Sequence, residues 1–113
     1  MQQQKELAEN LSIDTTETKT KIKENQIIVG DKPFMNYVRS AEILLKSKNL
    51  QKITIRARGL NIVKAIDLSE AVRNKFCADL KLNMGITTST EKFLRTGSDK
   101  EFFVSIIEIT LKR

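Results

Sequence analysis

Apolar residues fall into four short runs and two longer periodic stretches. The first run, "QIIV" at residues 26–29, ends at Gly30 and reads as a strand. Asp31 or Lys32 then occupies a cap region, and Pro33 suits a first helical turn. Phe34, Tyr37, Val38, Ala41, Leu44 and Leu45 recur at helical spacing, which predicts a helix over 33–48 that stops at Asn49. "KITIRAR", residues 52–58, alternates: Ile53, Ile55 and Ala57 face one way, Thr54, Arg56 and Arg58 the other. Gly59 breaks that run. Ile62, Ala65, Ile66, Ser69, Val72 and Phe76 mark a second helix over 61–76, with Asn61 as its expected cap. Leu80, Leu82, Met84 and Ile86 alternate with polar or small residues and predict a third strand. "FFVSIIEITL", residues 102–111, predicts a fourth. Between them "TTSTEKFLRTGSDK" reads as a polar hairpin turning near Gly97.

The resulting order is β-α-β-α-β-β. It describes an α/β two-layer sandwich of the α+β type: a four-stranded mixed sheet, two helices on one face, and a long hairpin between the last two strands. The fourth strand is apolar on both sides. Phe103, Ile107, Ile109 and Leu111 form one face; Phe102, Val104 and Ile106 form part of the other. Both faces of such a strand need cover. The helices supply one cover, so a partner chain is expected over part of the second.

With 113 residues the chain holds one domain. Residues 1–24 are rich in Gln, Thr, Lys and Glu, lack large apolar groups apart from a few leucines and isoleucines, and read as a disordered tail. The domain then spans 25–113. The tail carries a net charge of −1, and the domain, with 16 Lys/Arg against 9 Asp/Glu, carries +7. That excess favours an anionic partner such as nucleic acid, an anionic membrane surface or an acidic protein. Cys77 is the only cysteine and there is no histidine, which excludes a disulfide framework and disfavours a zinc site. No cofactor or metal is expected, and no catalytic residue: Cys77 has no evident general base, and Asp67 with Glu70 is a pairing that helix turns offer by chance. The start has no apolar core for a secretory signal, and no run approaches the roughly 18 apolar residues of a membrane span. An intracellular protein is expected.

Two basic corners carry the functional reading. A β-α-β unit with parallel strands puts both strand-to-helix junctions at one edge of the sheet. Lys32 leaves the first strand there, and Arg58 leaves the second. Arg56 shares a face with Arg58, and Lys64 sits in the first turn of the second helix. Helix N-termini and guanidinium groups both suit phosphate oxygens. The rival reading is ordinary: loop charges are often only solvated, and Arg56 could pair with an acid on a neighbouring strand. The hairpin adds Lys92 and Arg95. If pairing runs past Ile86 toward Lys92, the arm lengthens by about 20 Å, the scale of a duplex diameter. Its charge is balanced by Glu91, Asp99 and Glu101. Phe93 and Leu94 are unusual near a solvated tip and could stack on a base, pack back on the arm or pack on a neighbouring molecule.

Three segments, "VGDKPFMNYV", "ITIRARGLNIVKAIDLSEAVRNKF" and "VSIIEITLKR", closely resemble the Alba family of small dimeric nucleic-acid-binding proteins. The resemblance runs from about residue 25 to the C-terminus. It implies a homodimer, or a heterodimer with a paralogue, that binds DNA or RNA largely without sequence preference, in nucleoid or chromatin packaging or RNA protection. It implies nucleic-acid contact at Lys32, Arg56, Arg58 and Lys64, with hairpin arms lying along a groove or backbone. It also assigns Arg73, Asn74 and Phe76, in "RNKF", to contact between dimers, and so to possible higher-order assembly on nucleic acid. Family membership would place the protein in nucleoid or cytoplasm in an archaeon, and in nucleus or cytoplasm in a eukaryote. Two departures thin the charge. Asp31 stands where many archaeal members have the first of two lysines, a reversible acetylation site, and Leu60 stands where an arginine often follows "ARG". The alternatives are an RNA-binding subunit in translational control or a ribonuclease P-type complex, and a protein-interaction module.

Overall fold

A computed structural model describes residues 24–94, 97 and 99–113. Apart from Glu24, the tail expected to be disordered lies outside the described residues, and so does Arg95. The elements are β1 (Gln26–Ile28), α1 (Phe34–Glu42), β2 (Lys52–Arg58), α2 (Ile62–Ala71), β3 (Asn83–Leu94) and β4 (Glu101–Lys112). They form one four-stranded sheet in the order β1-β2-β4-β3. β1 runs parallel to β2, and β4 is antiparallel to both of its neighbours.

Both predicted helices reach about their expected ends, but each finishes in a wider π-type turn, Ile43–Ser47 and Val72–Phe76. There the amide of Lys48 donates to the Ile43 carbonyl, and that of Cys77 to the Val72 carbonyl, each at 2.8 Å. Asn49 then adopts a left-handed conformation, φ 55°, which stops the first helix where the sequence placed its end. Gly59 does the same for β2, with φ 60°. That conformation suits a glycine and turns the chain into a short 3-10 segment, Gly59–Asn61, ahead of α2.

Alternation along β2 and β4 sorts side chains between the two faces of the sheet. Ile53, Ile55, Ile109 and Leu111 are fully buried beneath the helices, with Val38, Ala41 and Leu45 from the first helix and Ala65, Leu68 and Val72 from the second. Ser69 is also buried there and donates its hydroxyl to the Ala65 carbonyl at 2.8 Å, so no polar atom of its side chain is stranded.

The third strand differs from its expected span. Residues 80–82 fall outside it, because a 3-10 turn, Ala78–Leu80, and a left-handed Lys81 intervene. The strand instead continues through the polar segment to Leu94 and pairs with β4 as far as Leu94↔Glu101. β2 stops at Arg58↔Ile106, so the last part of the hairpin, from Thr90↔Ser105 outward, projects as a two-stranded arm of roughly 15 Å.

The second apolar face of β4 is also resolved differently. Ile106 is only 4% exposed, flanked in register by Arg58 and Ser89, and Val104 is half-buried. Several exposed apolar groups lie on the helix side, Phe103 and Leu94 on the arm and Ile86 on β3, with Leu60, Val63 and Ile66 at and along α2, whereas Ile28, opposite Arg56, is exposed on the open face. A partner is expected over the face of Phe102, Val104 and Ile106; on β4 the large apolar group left exposed is instead Phe103, on the other face.

Ile109 is at the centre of this packing. Replacing Ile109 by Ala should lower unfolding free energy by about 2–5 kcal/mol, read by urea denaturation at fixed protein concentration. A loss below about 1 kcal/mol would show that the core is not organised around β4.

Candidate functional site

Parallel pairing of β1 with β2, Ile28 opposite Arg56, brings both strand ends to one edge of the sheet. The Val29 amide continues the ladder, donating to the Arg56 carbonyl at 2.9 Å. Lys32 and Arg58 therefore leave the sheet side by side. α1 and α2 both start at this edge. Neither has a side-chain cap: Asn61 occupies the cap position of α2 but makes no capping bond, contrary to its expected role. First-turn amides of both helices thus lack side-chain acceptors, and both helix dipoles present their positive ends here.

The loop between β1 and α1 is held in a clasp. Tyr37, one turn into α1, accepts hydrogen bonds at its hydroxyl from the amides of Gly30 (2.8 Å) and Lys32 (3.2 Å). Lys64, from α2, donates to the carbonyls of Gly30 (2.8 Å) and Lys32 (2.6 Å). Its ammonium also stands 5.2 Å from the centroid of the Tyr37 ring. Two side chains thus grip amides and carbonyls of one short loop and tie it to both helices. The sequence reads Lys64 as a phosphate ligand; in the structure its ammonium fixes the loop that carries Lys32. Tyr37 read only as a core residue, since nothing in its helical spacing signals a hydroxyl turned toward a loop.

The arginines are engaged as well. Arg56 lies across from Glu108 on β4 and donates to it at 2.6 Å. Arg58 donates to Glu91 on β3 at 3.2 Å, and its guanidinium lies 5.1 Å from the Phe93 ring centroid. Phe93 therefore carries a guanidinium from β2 near its ring. Both ion pairs are substantially exposed. Pairs of that kind are worth at most about 1 kcal/mol, so a phosphate could take the carboxylate's place. Lys32 is exposed and makes no ion pair among the described residues. Four cations at this edge thus face three carboxylates, Asp31, Glu91 and Glu108.

The remaining candidates lie elsewhere. Lys92 pairs with Glu101 across the arm at 3.2 Å. Arg73 and Asn74 both bind Glu70, at 3.1 and 2.8 Å, at the far end of the second helix. Phe76 is half-buried against the core, with the Lys75 ammonium 5.2 Å from its ring centroid. Cys77 is fully buried, and burial pushes its thiol pKa up, away from the nucleophilic thiolate. Among the described residues no cluster of three or more potential metal ligands occurs, and no helix is long and apolar enough to cross a membrane.

The family model for Alba matches residues 25–88, more than half of the chain. The chain belongs to the Alba family. It is 45% identical over 91 residues to the DNA/RNA-binding protein Alba of Thermoplasma volcanium, covering 80% of this chain and 97% of that one. It is 41% identical over 90 residues to the protein of that name from Methanocella arvoryzae, covering 80% and 91%. Among solved structures, Alba from Thermoplasma volcanium superposes with a TM-score of 0.67 at 42% identity, covering 79% of this chain and all of that one. ALBA1 from Trypanosoma brucei shares the fold at 21% identity, with a TM-score of 0.64 and coverage of 82% and 72%. Two helices on a four-stranded mixed sheet are thus the Alba architecture. In this Alba protein Asp31 and Leu60 stand at the cationic edge, one an acid and the other fully exposed and apolar.

The clasp makes a stability prediction. Tyr37→Phe keeps the ring and removes the acceptor of two loop amides. It should cost about 1–3 kcal/mol in urea unfolding. An unchanged unfolding midpoint would mean that water satisfies the loop equally well.

Proposed function

We propose that this protein binds DNA or RNA through the phosphate backbone, without sequence preference, as a homodimer inside the cell. The carrying observation is the shared edge at which Lys32 and Arg58 leave parallel strands beside two helix N-termini, with Arg56 and Arg58 on the open face of the sheet. The names of the archaeal relatives, DNA/RNA-binding protein Alba, support the same reading. Arg56 and Arg58 are held by Glu108 and Glu91 in the free protein. An arriving phosphate replaces each carboxylate, so the arginines are oriented before binding. Such contacts fix position along a nucleic acid but read no bases. The arm, about 15 Å beyond the sheet body, can lie along the backbone past the edge.

The exposed apolar groups support a dimer. Val63 and Ile66 on α2, with Ile86 and Phe103 on the helix side of β3 and β4, form a surface that the protomer leaves in water. Uncovered apolar area of this kind marks an interface. A second copy of the chain, meeting the same residues across a two-fold axis, covers it.

If a dimer neutralises about 6 phosphates, log affinity for duplex DNA should fall with log salt at a slope near −5. Arg58→Ala should weaken binding to unrelated sequences alike and make that slope shallower by about 2 per dimer, measured by fluorescence anisotropy across salt. Binding that ignores both Arg56→Ala and Arg58→Ala would remove this edge from the mechanism. Separately, Val63→Asp with Phe103→Asp should shift the protein to monomer in sedimentation equilibrium; an intact dimer would place the interface elsewhere.

A further inference from the structure

Most of the net charge lies away from the edge just described. Residues 25–113 carry +7, yet Lys32, Arg56, Arg58 and Lys64 face Asp31, Glu91 and Glu108, which leaves that edge only one positive charge. The excess collects at the opposite edge, where both helices end, β2 begins and β4 finishes. Lys46, Lys48, Lys52, Lys75, Lys81, Lys112 and Arg113 stand there. Asp79 lies among them, Glu42 stands one turn before Lys46, and Glu24 lies just before β1.

Contacts tie these residues to one place. Lys46 pairs with Asp79 at 3.2 Å, joining the end of the first helix to the segment after the second. That contact holds the Asp79 carboxyl below its ordinary range. Arg113 donates to the Leu45 and Leu50 carbonyls, and its amide donates to the Gln51 carbonyl at 2.9 Å. Lys112 stands in register between Lys52 and Asn83, and Lys81 lies just ahead of β3.

Some of this charge has a local explanation. Lys46, Lys48 and Lys75 sit where helix dipoles are negative, and Arg113 satisfies carbonyls at a helix end. Lys52, Lys81 and Lys112 have no such explanation. Lys52 and Lys112 are directly opposed across antiparallel strands, an arrangement of like charges that weakens a sheet. Lys81 adopts φ 54°, a conformation that favours Gly or Asn over a long side chain. All three are exposed, and none makes an ion pair among the described residues. Two lysines set opposite each other and a third in a costly conformation are tolerable when a polyanion lies across them.

We infer that this far edge is a second binding face for a phosphodiester backbone, centred on Lys52, Lys81 and Lys112, so that one protomer holds two nucleic-acid segments at opposite edges of its sheet. The inference rests on the nucleic-acid reading above. β2 spans six residue steps from Lys52 to Arg58, which separates the two faces by about 20 Å. Charge complementarity selects the occupant: closely spaced cations with few carboxylates match a chain of regularly spaced phosphates better than an acidic side chain. Another copy of this edge would instead add repulsion, so protein-only stacking through the neighbouring Phe76 is opposed unless a polyanion intervenes.

The test uses the full chain and two duplexes. One duplex is fixed to beads and loaded with protein; the second, fluorescent and unrelated in sequence, is then offered at low salt. The variant Lys52→Gln, Lys81→Asn, Lys112→Gln keeps the charges of the other edge, and Asn suits the backbone at position 81. It should melt like the parent and load on the first duplex within about threefold of it, yet recruit at least fivefold less of the second. Unchanged recruitment by the folded variant overturns the inference and leaves the face to another partner. So does a loss on the first duplex as large as that of Lys32→Ala with Arg58→Ala, because the two edges would then be one site. If the folded variant proves unobtainable, Lys52→Gln with Lys112→Gln is read against the same two outcomes. A parent protein that fails to load on the first duplex would instead overturn the nucleic-acid reading itself.

Discussion

Pairing of β2 with β4 is the constraint on which the other features depend. Its register, Ile55 opposite Ile109, stacks apolar residues of both strands on the helix side. A slip of one residue would turn the apolar set of one strand, Ile53 and Ile55 or Ile107 and Ile109, to the open face and leave the helices half a surface to cover. The same register sets Arg56 against Glu108 and Lys52 against Lys112. Core packing therefore decides the electrostatics: the sheet cannot keep its interior and rearrange its charges independently. One end of the pairing is compensated by carboxylates and the other is not.

Position of the loop before α1 follows from a different economy. A short connection with Gly30 and Pro33 has little apolar area to bury and would be mobile on that account. Tyr37 and Lys64 substitute polar contacts for packing. They take two amides and two carbonyls of the loop, so the Lys32 side chain leaves from a fixed base. Lys64 brings this about with one buried-facing ammonium, whose charge still adds to the potential of the edge. Holding a loop and attracting a polyanion are compatible tasks for one lysine, because an ammonium has three donors and only two go to the loop carbonyls.

Much of the fold was legible because period 2 and period 3.6 seldom coincide. β2 was readable in full from "KITIRAR", and both helices to within a residue or two. β3 was not. Its outer half, "TTSTEKFL", has no apolar alternation, because an arm in water has no buried face to impose one. The extended conformation there comes from the ladder with β4, which sequence shows only as a conditional. The π-type turns were hidden for a related reason: they preserve an apolar stripe while changing the hydrogen-bond step. At the candidate site, sequence placed Lys32 and Arg58 at one edge through the parallel-strand argument, and the structure keeps them there. It could not show which carboxylates would answer them. Glu91 reaches Arg58 only because β3 runs past Ile86, and Glu108 reaches Arg56 only through register. It could not show Tyr37 as a loop anchor, because a tyrosine on a buried helix face reads like any other core aromatic. The far lysines were visible one by one, but their assembly needed the ends of four elements brought together.

These facts bear on how a weakly charged edge could suffice. Leu60 is fully exposed immediately after the cationic turn, and Val63 and Ile66 continue the apolar surface along α2. An interface built on them begins next to Arg58, so a two-fold axis there sets the cationic turns of both protomers near one another. In the proposed dimer the single net charge per edge would be doubled within one footprint. Lys52, Lys81 and Lys112 lie at the other end of β2, away from such an axis, so the proposed dimer would keep their two copies apart. A fold with one apolar surface and two unequal cationic ends would in this way give a dimer one joint face and two outlying ones. Substitution of lysine and arginine by Asp31 and Leu60 at the joint face, relative to the pattern the resemblance implies, shifts the balance of charge further toward the outlying pair.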